Sequence, residues 1–129
     1  MEELMKRERN TNQKEMIKAE VQLHQGHLTG DQIYALVKEK MPGIGRATVF
    51  RNLKDLTEKG EIGYIPTVDG AGFFDYRKHN HYHFKCTKCN RLFDTNVPYN
   101  DSLDKVDSRF NIQNHVTLFY GICPECEKM

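Results

Sequence analysis

The four cysteines of the chain form two C-x₂-C pairs, Cys86 with Cys89 and Cys123 with Cys126. A C-x₂-C pair places two thiolates on one tight turn, and two such turns complete the tetrahedron that a structural zinc ion prefers. His81 and His83 stand just before the first pair. Histidines two residues apart on a strand project from the same face and could share a second metal ion. The spacing therefore predicts two metal sites of different kinds.

Composition predicts a globular protein that acts in the cytoplasm. Charged residues make up 29% and hydrophobic residues 38% of the 129 residues, which suits one compact domain or two small ones. No stretch approaches the ~20 apolar residues of a membrane span, and the first residues lack the apolar core of a secretion signal. Thiols stay reduced in the cytosol, where C-x₂-C pairs are more often metal ligands than disulfides. A redox-switched or disulfide-bonded pair is the alternative interpretation.

The balance of charges excludes nucleic-acid binding through bulk charge. Lysine and arginine number 19 against 18 aspartate and glutamate residues, which gives a net charge of +1. Any affinity for DNA must therefore come from locally placed cations and from dimerisation. A small domain also needs additional stabilisation, because its core alone contributes little. A Cys₄ zinc site that joins distant parts of the chain would supply it.

Three helices are predicted in the first half of the chain. Apolar residues at helical spacing indicate a helix over residues 12–24. Thr29 and Gln32 form a capping box, which opens a second helix that ends near residue 40. The third helix covers residues 45–58 and stops before Gly60, a favoured residue just beyond a helix end.

A hairpin should follow these helices. Residues 61–66 and 73–76 alternate between apolar and polar types and flank the turn-rich residues 68–72. Three helices followed by a two-stranded wing predict a winged helix-turn-helix domain over residues 1–76. The overall class is then α+β.

Past residue 77 the pattern predicts a second, small α/β domain that extends to residue 129. Strand-like segments cover residues 82–85, 91–94 and 116–122, and they surround a short helix over residues 101–110. The Cys₄ site would close this domain.

The third predicted helix has the two faces that a DNA-recognition helix needs. Val49, Leu53 and Leu56 form an inward stripe, while arginine, asparagine and lysine occupy the other positions. Such side chains read base edges or bind phosphates in the major groove. The candidate DNA contacts are Arg46, Thr48, Phe50, Arg51, Asn52 and Lys54. A solvated amphipathic helix is the simpler interpretation of this pattern.

Three motifs occur in one order along the chain. They are G-R-A-T-V-F-R-N-L at residues 45–53, H-Y-H-x₂-C-x₂-C at residues 81–89 and Y-G-x-C-x₂-C at residues 120–126. In these motifs the chain resembles the ferric uptake regulator family of bacterial metal-dependent repressors, from about residue 10 onwards. The resemblance implies a homodimer with N-terminal winged helices and C-terminal dimerisation domains. Metal bound between the two domains of each chain would set the shape that fits a palindromic operator.

The resemblance also implies a regulatory metal site in this chain. Its ligands would be His27, Asp75, His81, His83 and Asp94. Nitrogen and oxygen ligands suit Fe²⁺ or Mn²⁺ rather than a thiophilic ion. Two aspartates with three histidines resemble the peroxide-responsive branch, where bound Fe²⁺ reacts with hydrogen peroxide and a ligand histidine is oxidised. The oxidised positions would be His27 and His81, and DNA would be released. The chain would then be a regulator and not an enzyme.

The alternative within the family is an iron-, manganese- or zinc-responsive regulator of metal uptake genes. Two features depart from the family pattern. Phe50 stands where the family usually has tyrosine, and only His115 remains of a further metal site found in some members. We therefore expect one regulatory site per subunit. Outside it, His24 and His79 are predicted to be surface residues and His115 a polar strand residue.

Two other classes of protein could use the same residues. A hydrolytic metalloenzyme would need an open metal position and a placed general base, and the sequence offers no obvious spare base. A zinc-ribbon module that binds another protein would explain the cysteines. It would leave the arginine-bearing helix and the wing without a role.

Overall fold

The computed structural model describes residues 2–24, 26–68, 70–76 and 81–129. The chain divides into two compact units, Met1–Lys78 and His79–Met129. Both contain helix and strand, so the predicted α+β class is confirmed. The prediction that His79 lies on the surface falls outside the described residues. None of the helices within these ranges is both long enough and apolar enough to cross a membrane.

Three helices build the core of the first unit. They are α1 (Glu2–Leu23), α2 (Gly30–Lys40) and α3 (Arg46–Glu58). Each helix turns one apolar stripe inward, as amphipathic helices do. The buried residues are Ile17, Val21, Ile33, Val37, Val49, Leu53 and Leu56. The predicted inward stripe of α3 is confirmed, and burial of these side chains is the main source of stability.

Helix α1 begins at Glu2, whereas apolar spacing predicts a helix only over residues 12–24. Residues 2–12 are exposed, so they bury no stripe that a hydrophobic period could reveal. They are rich in glutamate, lysine, arginine, methionine and leucine, all of which favour helix. Glu3 and Arg7, one turn apart, form an ion pair at 3.7 Å. Intrinsic propensity, rather than packing, extends the helix.

A buried carboxylate ties the end of α1 to the end of α2. Glu20 is 1% exposed, and its carboxylate forms an ion pair with Lys40. Its second oxygen lies 3.2 Å from Nε2 of His24, which is exposed as predicted. Because a buried carboxylate needs such partners, these contacts hold the C-terminal end of α1 against the C-terminal end of α2.

The ends of α2 and α3 follow the predicted signals. The Thr29 hydroxyl accepts from the Gln32 amide at 3.2 Å, and the Gln32 side chain accepts from the Thr29 amide at 2.8 Å. This confirms the capping box, which satisfies two backbone donors at the start of α2. Beyond α3, Gly60 has a φ of 72°, a left-handed conformation that glycine adopts without a steric penalty.

The predicted hairpin is present and completes a winged helix-turn-helix. Strand β1 (Gly63–Ile65) pairs antiparallel with β2 (Phe73–Asp75). Leu28 extends this sheet through a bridge to Phe74. The Leu28 amide donates to the Phe74 carbonyl at 3.2 Å, and the Phe74 amide donates to the Leu28 carbonyl at 2.7 Å. The loop before α2 is therefore fixed to the second wing strand.

A three-stranded sheet forms the centre of the second unit. Its strands are β3 (His83–Cys86), β4 (Leu92–Asp94) and β5 (Leu118–Gly121) in the order β4-β3-β5. Strand β3 pairs antiparallel with β4 and parallel with β5. Each strand lies within or close to a segment that alternation predicts. A short helix, α4 (Pro124–Glu127), holds part of the second C-x₂-C pair, and the sequence patterns do not predict it.

The helix predicted over residues 101–110 is only partly present. A 3₁₀-helix covers Asp101–Lys105, and Phe110 is exposed. The Asp107 carboxylate accepts from the Arg109 amide at 3.1 Å. Such a local bond between an aspartate side chain and the backbone competes with the helical hydrogen bonds, so the helix does not continue.

Candidate metal centres and DNA-binding helix

The two C-x₂-C turns meet beside the parallel strands β3 and β5. Cys86 ends β3 and pairs with Gly121 at the end of β5. This register brings the second turn, which follows β5, next to the first. The four Sγ atoms lie within 4.8 Å of one another, and all four cysteines are free. The cysteines that the sequence predicts to be zinc ligands thus form one cluster.

The geometry of this cluster fits a zinc ion. The Sγ atoms of Cys89 and Cys123 are 3.9 Å apart. A tetrahedral site with Zn–S bonds of about 2.3 Å separates its sulfur ligands by about 3.8 Å. Cys86, Cys123 and Cys126 are buried, while Cys89 is partly exposed. A closed site of four thiolates is typical of structural zinc.

The protein favours a thiolate at one cysteine without any metal. The backbone amides of Cys89 and Cys123 each donate to Cys86 Sγ at 3.4 Å. These donors, the Cys89 amide above all, lower the pKa of Cys86 to about 6. By contrast, the neighbouring Cys123 thiol and burial raise the pKa of Cys126 to about 12. A Zn²⁺ ion bound by the cluster would favour the thiolate form of all four cysteines.

A histidine and an aspartate approach each other in the first unit. His27 precedes Leu28 and Asp75 follows Phe74, so the antiparallel bridge between Leu28 and Phe74 places His27 and Asp75 side by side. Nε2 of His27 lies 3.3 Å from Oδ2 of Asp75. The Asp75 carboxylate is 1% exposed, so a cation or an imidazole must compensate its charge. This pair supplies one nitrogen and one oxygen donor.

Two histidines and an aspartate converge in the second unit. The register of β3 and β4 places His83 opposite Asp94, and His81 lies on the same face as His83. Oδ1 of Asp94 is 3.1 Å from Nε2 of His81 and 3.3 Å from Nε2 of His83. The two imidazole centroids are 4.2 Å apart. Three donor atoms thus face a common point, as ligands of one metal ion must.

Some candidate DNA-contacting side chains of helix α3 are exposed to solvent, and others make contacts within the first unit. Arg51 and Lys54 are exposed. The Arg46 guanidinium donates to Asp31 at 2.9 Å and stacks over the Phe50 ring at 4.2 Å. Arg46 therefore already has an acidic partner and an aromatic neighbour within its own unit.

Asn52 and Phe50, two of the candidate DNA-contacting residues on α3, make contacts within the first unit. The Asn52 side-chain amide donates to the Thr48 carbonyl at 2.9 Å, so part of its capacity to read a base is used within the helix. The Phe50 ring packs against the backbone of Gly30, where an added Cβ would lie 2.5 Å from the ring. Glycine at position 30 is what allows this close packing of α3 on α2.

Comparison with known proteins decides the family of the chain. The model of the ferric uptake regulator family matches residues 6–119. The chain belongs to this family. The peroxide-responsive repressor PerR of Staphylococcus epidermidis is 32% identical over 105 residues, which cover 79% of this chain and 70% of the relative. The ferric uptake regulation protein of Bacillus subtilis is 36% identical over 107 residues, which cover 78% and 72%.

Solved structures agree with this assignment in fold. The Campylobacter jejuni peroxide stress regulator matches with a TM-score of 0.74 and 24% identity, covering 98% of each chain. The Helicobacter pylori ferric uptake regulator matches with a TM-score of 0.74 and 17% identity, covering 99% of this chain and 94% of the other. The predicted combination of winged helix and small α/β unit is therefore confirmed as the ferric uptake regulator fold.

A polar network around His115 joins residues whose spacing in the sequence gives no signal of it. His115 is predicted to lie on a strand but precedes β5 and is half-buried. Its Nε2 lies 2.5 Å from the Tyr82 hydroxyl, and its Nδ1 lies 2.8 Å from Asp104. The imidazole holds the pKa of the Asp104 carboxyl below its ordinary value. Tyr99 donates to the same carboxylate at 2.8 Å. Tyr82 and His115 are 33 residues apart in sequence, so no local pattern reveals their contact.

Proposed function

We propose that this chain is a metal-dependent transcriptional repressor that binds palindromic operator DNA as a homodimer in the cytoplasm. Its family supports the proposal, because the relatives include a peroxide-responsive repressor and a ferric uptake regulation protein. Family members are transcriptional regulators rather than enzymes, which disfavours a hydrolytic centre. The exposed side chains of Arg51 and Lys54 on α3 support contacts with DNA.

A dimer of the second units is part of this proposal. Several large apolar side chains of this unit are exposed to solvent. They include Val106 (69%), Phe110 (61%), Val116 (59%) and Phe119 (42%). Exposed apolar surface of this kind is often covered by a protein partner, and a second copy of the chain would supply one.

The metals that we propose are Zn²⁺ at the four cysteines and Fe²⁺ or Mn²⁺ at the histidines and aspartates. The observation that carries the second assignment is the convergence of His81, His83 and Asp94 on one point. Imidazole and carboxylate donors without a thiolate favour Fe²⁺ or Mn²⁺ over softer ions. The cysteine cluster has the opposite preference and selects Zn²⁺.

We further propose that one regulatory ion uses both groups of ligands. The family pattern and the donor types support this set. Its members are His27, Asp75, His81, His83 and Asp94. An ion that binds residues of both units would couple its own occupancy to their arrangement, which is the two-state element that a metal switch requires.

Peroxide is the signal that we propose. Bound Fe²⁺ would supply the reduction of hydrogen peroxide that oxidises an adjacent imidazole, and His27 and His81 are the candidate targets. A modified imidazole is a poorer ligand, so the metal would leave and DNA would be released. The second candidate, a regulator of metal uptake without peroxide sensing, is supported by the similarity to the Bacillus subtilis ferric uptake regulation protein.

Mass spectrometry of the anaerobic, Fe²⁺-loaded protein after brief exposure to stoichiometric hydrogen peroxide tests this proposal. We expect one added oxygen atom on His27 or His81 and none when Mn²⁺ replaces Fe²⁺. Trypsin should release residues 19–38, which contain His24 and His27, and residues 79–85, which contain three histidines. Fragment spectra then locate the oxygen, with His24 as the internal control.

The outcomes separate the two candidate functions. Oxygen on His27 or His81 that depends on Fe²⁺, together with release of bound DNA, would support peroxide sensing. An unmodified protein that still requires metal for DNA binding would identify a regulator of metal uptake. Equal oxidation of His24 would indicate non-specific damage and contradict the peroxide proposal.

Replacing Arg51 by alanine is expected to weaken DNA binding by about 5- to 150-fold, the contribution of a good arginine contact to a base edge. Among the residues that the structure describes, its guanidinium makes a long contact of 3.5 Å to the Thr48 hydroxyl. Fluorescence anisotropy should be measured with a duplex selected from a random library by the Mn²⁺-loaded protein. Arg109→Ala is the matched control in the second unit, where Arg109 pairs with Asp107. Unchanged affinity of Arg51→Ala would exclude Arg51 from the DNA contact.

A further inference from the structure

One thiol of the cysteine cluster is more accessible than the other three. Cys86, Cys123 and Cys126 are buried, whereas Cys89 is partly exposed. A thiolate is the nucleophilic form of cysteine, and access controls how fast it reacts. In a protein proposed to meet hydrogen peroxide, Cys89 is therefore the position at which the zinc centre is open to attack.

An arginine covers this position. The Nε of Arg91 donates to Cys89 Sγ at 3.4 Å. A terminal nitrogen of the same guanidinium donates to the Glu125 carboxylate at 2.5 Å. The guanidinium also lies over the Phe93 ring, 5.1 Å from its centroid. Three neighbours thus fix its plane and its direction.

These contacts join the two cysteine turns. Glu125 stands between Cys123 and Cys126 in the second turn, while Cys89 belongs to the first. The Arg91 carbonyl also accepts from the Cys86 amide at 3.0 Å. Arg91 therefore holds the first turn through both its backbone and its side chain, and it holds the second turn through Glu125.

We propose that Arg91 is a positioning residue of the zinc centre that shields the Cys89 thiolate from hydrogen peroxide. The inference rests on the proposed zinc ion at the four cysteines. A charge-assisted hydrogen bond draws electron density from the sulfur and is stronger than a neutral one. The planar guanidinium can donate to sulfur and carboxylate at the same time, which the point charge of lysine does less well.

The reaction that Arg91 slows is a two-electron oxidation of sulfur. The Cys89 thiolate attacks one peroxide oxygen, the O–O bond breaks, and the second oxygen leaves as hydroxide, which a proton from the buffer converts to water. The sulfur becomes a sulfenic acid and the peroxide is reduced. A sulfenic acid is a poor ligand, so zinc is then released. Arg91 would confine the response to peroxide to the histidine–aspartate ligands and keep the cysteine centre intact.

Zinc release by excess hydrogen peroxide tests this role in the full-length protein. Release is followed with a colorimetric zinc chelator, with Mn²⁺ in the regulatory site so that no iron chemistry occurs. We expect Arg91→Gln to release zinc about tenfold faster than the unchanged chain, because it loses a charge-assisted hydrogen bond to the sulfur. Arg91→Lys and Glu125→Gln should give intermediate rates of zinc release. Each variant keeps a cation near Cys89 but loses the guanidinium's simultaneous hydrogen bonds to the sulfur and to the Glu125 carboxylate.

Arg109→Gln is a matched control. Arg109 pairs with Asp107 and lies over the Phe110 ring at 5.2 Å, which reproduces the surroundings of Arg91 without a cysteine. Its variant should release zinc at the unchanged rate. Peptide mapping after alkylation of the peroxide-treated protein adds a second readout, and the first cysteine lost should be Cys89.

The outcomes decide whether Arg91 shields Cys89. Equal release rates for Arg91→Gln, Arg91→Lys and the unchanged protein would overturn the inference while leaving the zinc assignment intact. Failure of Arg91→Gln to retain zinc shifts the comparison to Arg91→Lys and Glu125→Gln, where unchanged rates again overturn it. Absence of zinc from the unchanged protein would overturn the zinc assignment and the shielding role together.

Discussion

Replacement of Cys86 by serine is expected to remove the zinc ion and unfold the second unit. Structural zinc contributes about 10–16 kcal/mol to the folding of zinc-finger peptides, as much as the whole stability of many domains. The second unit is small and exposes several large apolar side chains, so its own core cannot replace that contribution. Cys86 also ends β3 and receives two backbone amide hydrogen bonds.

Zinc content by elemental mass spectrometry, with amide NMR spectra of the full chain, measures this outcome. Zinc should fall from stoichiometric to near zero, and the dispersed signals of the second unit should collapse. The winged-helix unit should keep its signals, because it has a separate core around Ile33 and Leu53. Lys88→Gln, an exposed substitution in the same turn, is the matched control. A folded second unit in zinc-free Cys86→Ser would refute the structural role of zinc.

Replacement of His83 by alanine is expected to abolish metal-dependent DNA binding while leaving zinc in place. His83 is 3% exposed, and its Nε2 faces the same Asp94 oxygen as that of His81. Loss even of an outer-shell partner costs about 10- to 100-fold in metal affinity, and loss of a ligand should cost at least as much. At a Mn²⁺ concentration that just saturates the unchanged protein, the variant should therefore bind neither Mn²⁺ at the regulatory site nor DNA.

Anaerobic calorimetry with Mn²⁺, followed by anisotropy with a selected duplex, tests this expectation. Asp94→Asn is the companion variant, and it should also lose Mn²⁺ affinity. The Asp94 side chain is 40% exposed and asparagine has the same shape, so a change in fold cannot explain that loss. His24→Ala removes an imidazole that contacts only Glu20 among the ion pairs described, and it should bind Mn²⁺ normally. Unchanged Mn²⁺ affinity in both His83→Ala and Asp94→Asn would show that the regulatory ion binds elsewhere.

The two proposed metal centres would have different roles, and the difference follows from their ligand chemistry. Four thiolates form a closed set that selects Zn²⁺ and supports the fold. Imidazoles and carboxylates select ions that exchange more readily and can undergo redox chemistry. Arg91 adds a protective contact to the first centre. The proposed peroxide sensor would need one reactive centre and one inert centre, and the two ligand sets have those opposite properties.

Sequence reasoning succeeded where a short-range rule determines the structure. The capping box at Thr29, the inward stripe of α3 and the wing hairpin depend on residues a few positions apart. The clustering of four cysteines followed from metal-ligand spacing. Helix α1 was longer than predicted, since residues 2–12 are helical without burying a stripe. The helix predicted over residues 101–110 was too long. After the 3₁₀-helix, the Asp107 side chain accepts a hydrogen bond from the Arg109 amide, which competes with helical bonding.

The resemblance to the ferric uptake regulator family implied the histidine–aspartate donor set. The amino-acid sequence by itself determined the family, the cysteine donor set and the order of the longer helices and strands. Residue type and spacing are sufficient for these properties, because they depend on the ligand chemistry of individual side chains and on local helix and strand rules. Only the tertiary structure decided which side chains surround the ligands. The contact of Arg91 with Cys89 and Glu125 and that of His115 with Tyr82 and Asp104 join residues distant in sequence. Strand register and packing set such contacts, and no local pattern encodes them.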